Sequence, residues 1–237
     1  MLSLLLMPEV FAVSSVKSGH ESYDEPLLNS VEVGVERAYI PDVDITVIPS
    51  HSPEDYQERL HRALAIFIGG VPPTSEYDST MAEALEPEWR EIIHNTPTSV
   101  EGHCLGGQLL SRIYGGIVMR FVEAENGLCV VEVAEGQQAN PLFGELGPRF
   151  LEFSSHWAST SVPEEFRRLA STKPSPETGK GCHNFMSQHK DPNKLIVINQ
   201  GHQELTPEEL GSGYNLTESF IRAADKRHRE QIASGTI

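Results

Sequence analysis

The sequence predicts an α/β fold in which a mostly parallel sheet carries helices on both faces. Three observations support this. The first half of the chain alternates short apolar runs with longer amphipathic ones, in the order strand, helix, strand, helix. The second half is richer in strand patterns, which indicates a smaller antiparallel section. The length of 237 residues suits one large domain, and no linker divides it, so we expect a single domain over residues 1–237.

The elements of the first half follow from apolar periodicity and from the residues that interrupt it. A Ser-Pro pair opens the second helix, and a Gly-Gly pair ends the third strand. Pro87 predicts an irregularity in the third helix. The predicted strands are 2–7, 43–49, 64–70 and 97–102, and the predicted helices are 29–39, 52–63, 80–95 and 106–116.

The second half begins with two strand patterns, 116–124 and 127–135, around the sequence Glu-Asn-Gly, which predicts a β-hairpin. Further strand character occurs at 149–157, 164–172 and 193–200. A helix is expected over 215–234, because it starts with the Asn-x-x-Glu pattern of a capping box. The segment 171–181 is expected to be a surface loop.

Composition and charge exclude several classes of function. The formal net charge of −16 argues against a broad basic surface for nucleic acid or for an anionic membrane. Three cysteines are too few for a disulfide scaffold and fit a reducing compartment, the cytoplasm. The apolar start lacks a basic region and is broken by Pro8 and Glu9, so a buried strand is expected rather than a targeting signal. No segment approaches the roughly 20 apolar residues of a membrane helix.

The stretch VEGHCLGGQ, residues 100–108, has the pattern of a nucleophile elbow. A strand leads directly into Gly-x-Cys-x-Gly and then into a helix. Gly102 and Gly106 lack the Cβ atoms that would clash across so sharp a turn. The following helix points its N-terminus at Cys104, which favours the thiolate, and the backbone N–H of Leu105 can donate to an oxyanion. The alternative is a small buried apolar cysteine.

A cysteine nucleophile needs a base and a group that orients the base. The sequence LIVINQGHQE, residues 195–204, places His202 after a strand, with Glu204 two positions later. The pattern His-x-Glu is weak by itself. In a doubly wound sheet, however, the carboxyl ends of both strands open on the same edge, where such folds place their sites. We therefore expect Cys104 and His202 to meet there.

Other candidates carry less information on their own. The turn at Gly69 and Gly70 follows an apolar strand and could bring a second backbone donor near a substrate oxygen. Cys129 lies in a valine-rich strand pattern and is expected in the core. Cys182 neighbours His183, but no second Cys/His pair has metal-site spacing, so no metal site is expected.

Four segments, in order from about residue 64 to residue 205, together resemble the class I (triad) glutamine amidotransferases. The elbow GHCLGGQ resembles the family's Gly-x-Cys-x-Gly-x-Gln, and QGHQE at 200–204 resembles Gln-x-His-Pro-Glu. IGGVPPTSEYD at 68–78 resembles the strand-end Gly-Gly-Pro loop, and SSHWASTSVPEEFRRLAST at 154–172 resembles the Ser-His segment. The chain is thus identified as similar to a stand-alone domain of the GMP synthase glutaminase type.

The resemblance implies a flavodoxin-like fold, no cofactor, and hydrolysis of the glutamine side-chain amide through a γ-glutamyl thioester. The ammonia goes to a separate synthase subunit or is released by an enzyme acting alone. The implied catalytic residues are Cys104, His202 and Glu204. The implied oxyanion donors are Leu105 and one of Gly69 or Gly70, with Gly70 preferred. The implied substrate-binding residues are Gln108, Ser155 and His156.

Three departures from the family pattern bear on these roles. Gln203 replaces the proline of His-Pro-Glu, and Glu101 puts a charge in the strand before the elbow, where apolar residues are usual. Gly107 also stands where many members have histidine. Two alternatives remain open: a γ-glutamyl peptidase or hydrolase that uses the same thioester, and a non-catalytic member that binds a partner protein.

Overall fold

The computed structural model describes residues 7–14, 24–70, 79–173, 181–207, 210 and 212–237. These residues form one nine-stranded sheet with five α-helices. Three short 3-10 helices lie at Pro53–Tyr56, Pro141–Phe143 and Gln203–Leu205. The α-helices are α1 Asp24–Ala38, α2 Gln57–Arg62, α3 Ser79–Asn95, α4 Leu105–Ile113 and α5 Ser212–Ser234. The strands are β1 Glu9–Ser14, β2 Asp44–Pro49, β3 Ala65–Ile68, β4 Ser99–His103, β5 Val118–Val133, β6 Arg149–Thr160, β7 Phe166–Thr172, β8 Met186–His189 and β9 Ile196–Asn199.

The strand order is β2-β1-β3-β4-β9-β8-β7-β5-β6. The pairs from β2 to β9 are parallel, and those from β9 to β6 are antiparallel. This arrangement confirms the predicted α/β class with its small antiparallel section. Parallel neighbours need crossover connections, and α-helices supply these in the first half of the chain.

Helices cover both faces of the parallel part. Every residue of β3 is therefore buried, whichever face its side chain points to. Phe67 points to a core shared with α1 and α5, where it packs edge-on to Phe220 at 5.2 Å between ring centroids. Ile66 and Ile68 point to the opposite core, which is shared with α2, α3 and α4 and includes Trp89. The predicted three-layer architecture is therefore confirmed.

Several element predictions need correction. The structure places a strand, β1, at Glu9–Ser14, which the sequence prediction did not include, and residues 2–6 of the predicted strand 2–7 lie outside the described residues. The segments 116–124 and 127–135 contribute to one long strand, β5, rather than to a hairpin, because parts of both pair with the continuous strand β6, with a register shift between Arg120 and Glu125. Strand β8 was missed because it has only four residues and no apolar run.

The helical and loop predictions also differ in detail. Helix α3 continues through Pro87, and α1 and α5 begin earlier than predicted. Of the predicted loop 171–181, residues 174–180 lie outside the described residues, and 171 and 172 belong to β7. Among the helices that the structure describes, none has the length and apolar character needed to cross a membrane.

The topology brings three strand ends together. β3, β4 and β9 are adjacent and parallel. Their carboxyl ends continue into Gly69 and Gly70, into Cys104, and into the segment from Gln200 to Glu204, respectively. Segments 100 residues apart in sequence thus meet at one edge, where sheets of this class bind ligands.

Candidate active site

Cys104 joins β4 to α4 in a backbone conformation that is rare for a residue with a side chain, with φ +48° and ψ −104°. Hydrogen bonds hold this conformation from both sides. The N–H of Cys104 donates to the carbonyl of Asn199 at 2.9 Å, and its carbonyl accepts from the N–H of Gln108 at 2.9 Å. The thiol is therefore presented at the start of a helix by a backbone that its neighbours fix.

Three glycines make this turn sterically possible. A Cβ atom at Gly102 would lie 2.5 Å from the carbonyl atoms of Gly106, and one at Gly107 would lie 2.6 Å from the carbonyl oxygen of Asn199. A Cβ at Gly106 would overlap the carbonyl oxygen of Ile68 and lie 2.8 Å from the carbonyl carbon. Contacts with backbone atoms cannot be relieved by moving a side chain. Helix α4 can therefore lie this close to β3, β4 and β9 only because these positions lack side chains.

His202 follows β9 and lies next to Cys104. Its N–H donates to the carbonyl of Phe153 at 2.8 Å, which ties this segment to β6. A Cβ built on Gly70 would lie 2.7 Å from Cε1 of His202 and 3.2 Å from Cβ of Cys104, so both side chains meet beside that glycine. The carbonyl oxygen of Ser155 lies close to both, at 3.2 Å from Nε2 of His202 and 3.8 Å from Sγ of Cys104.

Glu204 orients the imidazole. Its Oε1 lies 2.6 Å from Nδ1 of His202, and both side chains are buried. Burial alone would lower the pKa of His202, but the charges and hydrogen bonds of Cys104 and Glu204 raise it well above its usual value. Burial alone would raise the pKa of Glu204, but His202 and His103 hold it well below its usual value. His202 is thus an imidazolium beside an ionised carboxylate.

The two glycines after β3 differ in their surroundings. The N–H of Gly69 donates to the carbonyl of Val13 at 3.1 Å, so it is already engaged in the sheet. Gly70 is the glycine that adjoins Cys104 and His202. Leu105 is the first residue of α4, where backbone N–H groups have no partner within the helix. The Pro-containing part of the 68–78 loop lies outside the described residues.

The three residues expected to bind substrate lie around this site at different depths. Gln108 is buried one turn into α4, and its Oε1 has no hydrogen-bond partner among the described residues. Ser155 contributes the carbonyl that contacts the sulfur and the imidazole. His156 is buried, with Nε2 3.3 Å from Oε2 of Glu125. Burial, assisted by the charge of His202, lowers the pKa of His156 to about 3, so this ring is neutral near pH 7.

The other two cysteines have core environments. Sγ of Cys129 donates to the carbonyl of Glu152 at 3.2 Å, and Sγ of Cys182 lies 3.0 Å from Oγ of Ser159. Burial raises the pKa of each thiol to about 12, which keeps both protonated and unreactive. Among the described residues, no group of three potential metal ligands includes Cys182 or His183.

Sequence reasoning missed a group of buried polar residues behind Glu204. The second carboxylate oxygen of Glu204 lies 3.4 Å from Nδ1 of His103, the residue inside the elbow. The Nε2 atom of His103 lies 3.5 Å from Glu101, which accepts a hydrogen bond from Gln203 at 2.8 Å. The charge of Glu101 within a strand was the one signal that pointed to this group.

Raising the pH from about 7 to about 10 is expected to lower the free energy of unfolding. His103 has a pKa raised to about 10, because Glu101 and Glu204 outweigh the effect of burial, and His202 is also raised. The folded chain thus keeps protons that the unfolded chain has released, so the stabilisation is complete below about 6.5 and is lost as the pH rises. Burial raises the pKa of Glu152 to about 8 and acts in the same direction.

Urea unfolding at about pH 7, 8.5 and 10 measures this dependence. The unfolding midpoint should fall steadily over the series. A midpoint that stays constant or rises would show that the buried imidazoles do not hold their protons in the folded state.

Comparison with known proteins gives a consistent family of relatives. No family model matches the chain. It is 33% identical over 147 residues to a glutamine-hydrolysing GMP synthase of Lactobacillus delbrueckii, a match that covers 62% of this chain and 25% of that protein. It is 30% identical over 129 residues to one subunit of the glutamine-hydrolysing GMP synthase of Pyrococcus furiosus, covering 54% of this chain and 63% of that protein. The matches therefore span from a quarter to less than two thirds of these curated relatives.

A solved structure extends the likeness to nearly the whole chain. The crystal structure of a GMP synthase subunit from Thermoplasma acidophilum superposes with a TM-score of 0.72 and 19% identity. The superposition covers 96% of this chain and 98% of that one. It establishes the fold, and it agrees with the family that the motifs indicated.

Proposed function

We propose that this chain, a homologue of the glutamine-hydrolysing GMP synthases with the fold of the class I glutamine amidotransferases, hydrolyses the side-chain amide of glutamine. One observation carries the proposal. A cysteine held in a strained elbow lies against a buried imidazolium whose other nitrogen is bound by a carboxylate. This is the arrangement that nucleophilic acyl transfer by a Cys-His-Glu triad requires.

The resting state follows from the contacts of His202. Its Nδ1 faces the carboxylate of Glu204, and its Nε2 faces the carbonyl of Ser155, so both nitrogens are next to acceptors. An imidazolium can donate to both of these oxygens, whereas a neutral ring has one N–H and can donate to only one of them. We propose that His202 takes the proton of Cys104 and that the sulfur attacks as a thiolate at the N-terminus of α4.

Catalysis then proceeds in two acyl-transfer steps. The thiolate of Cys104 attacks the side-chain carbonyl carbon of glutamine, and His202 gives its proton to the departing nitrogen, which leaves as ammonia. The neutral imidazole next takes a proton from water, which attacks the γ-glutamyl thioester. Glutamate leaves and the thiolate is restored beside the imidazolium, which keeps the proton that it took from water. One water is consumed for each ammonia and glutamate formed.

The oxyanion of each tetrahedral intermediate is proposed to bind the N–H groups of Leu105 and Gly70. Gly70 is preferred over Gly69 because the N–H of Gly69 already donates to Val13. Leu105 contributes a donor at the start of α4. Gln108 and the Ser155-His156 segment are proposed to hold the substrate, since Gln108 carries a buried amide oxygen without a partner in the described part of the chain.

The ammonia is proposed to pass to a separate synthase subunit in the cytoplasm. The Lactobacillus relative is a GMP synthase of which the match spans 25%, and the Pyrococcus relative is one subunit of a glutamine-hydrolysing GMP synthase. We accordingly propose that residues 1–237 act as one glutaminase domain, with a synthase as its partner.

Comparison of two substrates tests the proposal. Purified protein should release ammonia from glutamine with a kcat/KM at least about tenfold above that for glutamate release from γ-glutamyl peptides. The reverse preference would identify a γ-glutamyl hydrolase. If neither substrate is turned over, treatment with a glutamine-mimicking electrophile decides: failure to label Cys104 would contradict the proposed site.

A further inference from the structure

A row of buried side chains, in which acidic and basic groups alternate, leads away from the sulfur. In order it contains Cys104, His202, Glu204, His103 and Glu101, and each side chain contacts the next. We call these five residues the charge row. The first three form the proposed triad, whereas the last two have no role in it.

His103 is the inner cation of the row. Its Nδ1 lies 3.4 Å from Oε2 of Glu204, and its Nε2 lies 3.5 Å from Oε1 of Glu101. These distances are long for hydrogen bonds but lie within ion-pair range. Because both nitrogens face carboxylate oxygens, a neutral ring would direct a lone pair at one of them. The imidazolium is therefore the form that this environment accommodates, in agreement with its pKa of about 10.

Three carboxylates face His103 from different elements. Glu101 lies on β4 with it and Glu204 lies on the 3-10 helix after β9, both in contact with the ring, whereas Glu152 on β6 interacts with it electrostatically. Burial keeps Glu152 protonated near pH 7, since its pKa is about 8. Strand β3 contributes the ring of Phe67, edge-on at 6.1 Å between ring centroids. His103 thus lies between the carboxylates of Glu101 and Glu204.

The far end of the row is anchored to the helices. Glu101 accepts a hydrogen bond from Nε2 of Gln203 at 2.8 Å, and Oε1 of Gln203 accepts one from Thr217 on α5 at 2.8 Å. Thr217 in turn lies 3.1 Å from Oγ of Ser30 on α1. Gln203, which stands where the family has proline, therefore holds Glu101, the charged residue in the strand before the elbow.

Glu204 is held by a histidine on each oxygen. Oε1 contacts His202, and Oε2 contacts His103. A carboxylate with one partner can rotate or take up a proton when the charge on that partner changes. The imidazolium of His103 opposes both changes. If Glu204 rotated away or became neutral, this buried cation would lose its counter-charge.

We propose that His103 is a positioning residue, whose imidazolium fixes Glu204 in its ionised form and thereby fixes the His202 that pairs with the thiolate. The inference rests on the proposed function. His103 acts through Glu204, and its contacts are with the two carboxylates rather than with the sulfur.

The pH dependence of Cys104 alkylation tests this role without any substrate. Iodoacetamide reacts with the wild type and with His103→Gln over about pH 5 to 9, and mass spectrometry quantifies the Cys104 peptide. Loss of the cation raises the pKa of Glu204 and weakens its hold on His202. We therefore expect the acid limb of the alkylation rate to move up by about one pH unit, a roughly tenfold slower reaction at the foot of the limb.

His183→Gln is the matched control, because this exposed histidine contacts Arg168 at the surface. Its alkylation profile should equal that of the wild type. In glutamine hydrolysis, His103→Gln should lower kcat about 10- to 100-fold and change KM less than about threefold. A folded His103→Gln protein with an unchanged alkylation profile overturns the inference. A wild type that hydrolyses no glutamine contradicts the proposed function, while the alkylation profile still tests His103.

A measurement on the unmutated protein covers the case in which His103→Gln does not fold. Nitrogen-15 NMR of the histidine side chains, with His103 assigned, should show both of its ring nitrogens protonated at about pH 8, as a pKa of about 10 requires. A neutral His103 ring at that pH would contradict the inference, which depends on the imidazolium.

Discussion

Replacement of Cys104 by alanine is expected to abolish ammonia release from glutamine, with kcat reduced by at least about 10⁴-fold. No other nucleophile can occupy this position, since the elbow presents one side chain at the start of α4. The fold should persist, because alanine keeps the Cβ and removes only the sulfur, with its contacts to the carbonyl of Ser155 and to His202. An ammonia assay with glutamine measures the loss, and circular dichroism checks the fold.

Cys129→Ser is the matched control for this variant. Cys129 is half-buried on β5, and a serine there can still donate to the carbonyl of Glu152. Its ammonia release should stay within about twofold of the wild type. A folded Cys104→Ala protein with undiminished turnover would mean that the reaction takes place elsewhere.

Replacement of Gly106 by alanine is expected to destabilise the whole domain by at least about 3 kcal/mol, or to prevent soluble expression. The new Cβ overlaps the carbonyl oxygen of Ile68, a backbone atom of the buried strand β3 that cannot turn away. Relief requires α4 to move away from the sheet, which would open the core that contains Leu109 and Ile113. Urea unfolding of the purified variant measures the change.

Gly147→Ala is the control of equal size. A Cβ there would meet nothing closer than the carbonyl oxygen of Arg149 at 3.8 Å. The free energy of unfolding should therefore change by no more than about 0.5 kcal/mol. Equal stability of the two variants would show that the elbow tolerates a side chain at Gly106, and the steric account of the motif would then be wrong.

Local sequence signals were sufficient for most of the parallel half of the fold, although β1, which follows Pro8, was not predicted. An apolar run followed by an amphipathic run specifies a strand and its crossover helix wherever both faces of the sheet are covered, as in β3 and α3. The same reasoning failed for β5, because the Glu-Asn-Gly signal was overridden by pairing with the long β6. Pairing between strands is a tertiary interaction, and turn propensity alone does not reveal it.

The sequence by itself determined the elbow, because its requirements are local: a glycine on each side, a strand before and a helix after. It also determined which histidine and carboxylate are available at a neighbouring strand end. The tertiary structure alone decided that the N–H of Gly69 is engaged with Val13, and that His103 lies between Glu101 and Glu204. Gln203 and Glu101 are 102 positions apart and are joined by one hydrogen bond. Such contacts depend on distance in space and on burial, which strengthens charge interactions, and neither quantity is encoded in residue spacing.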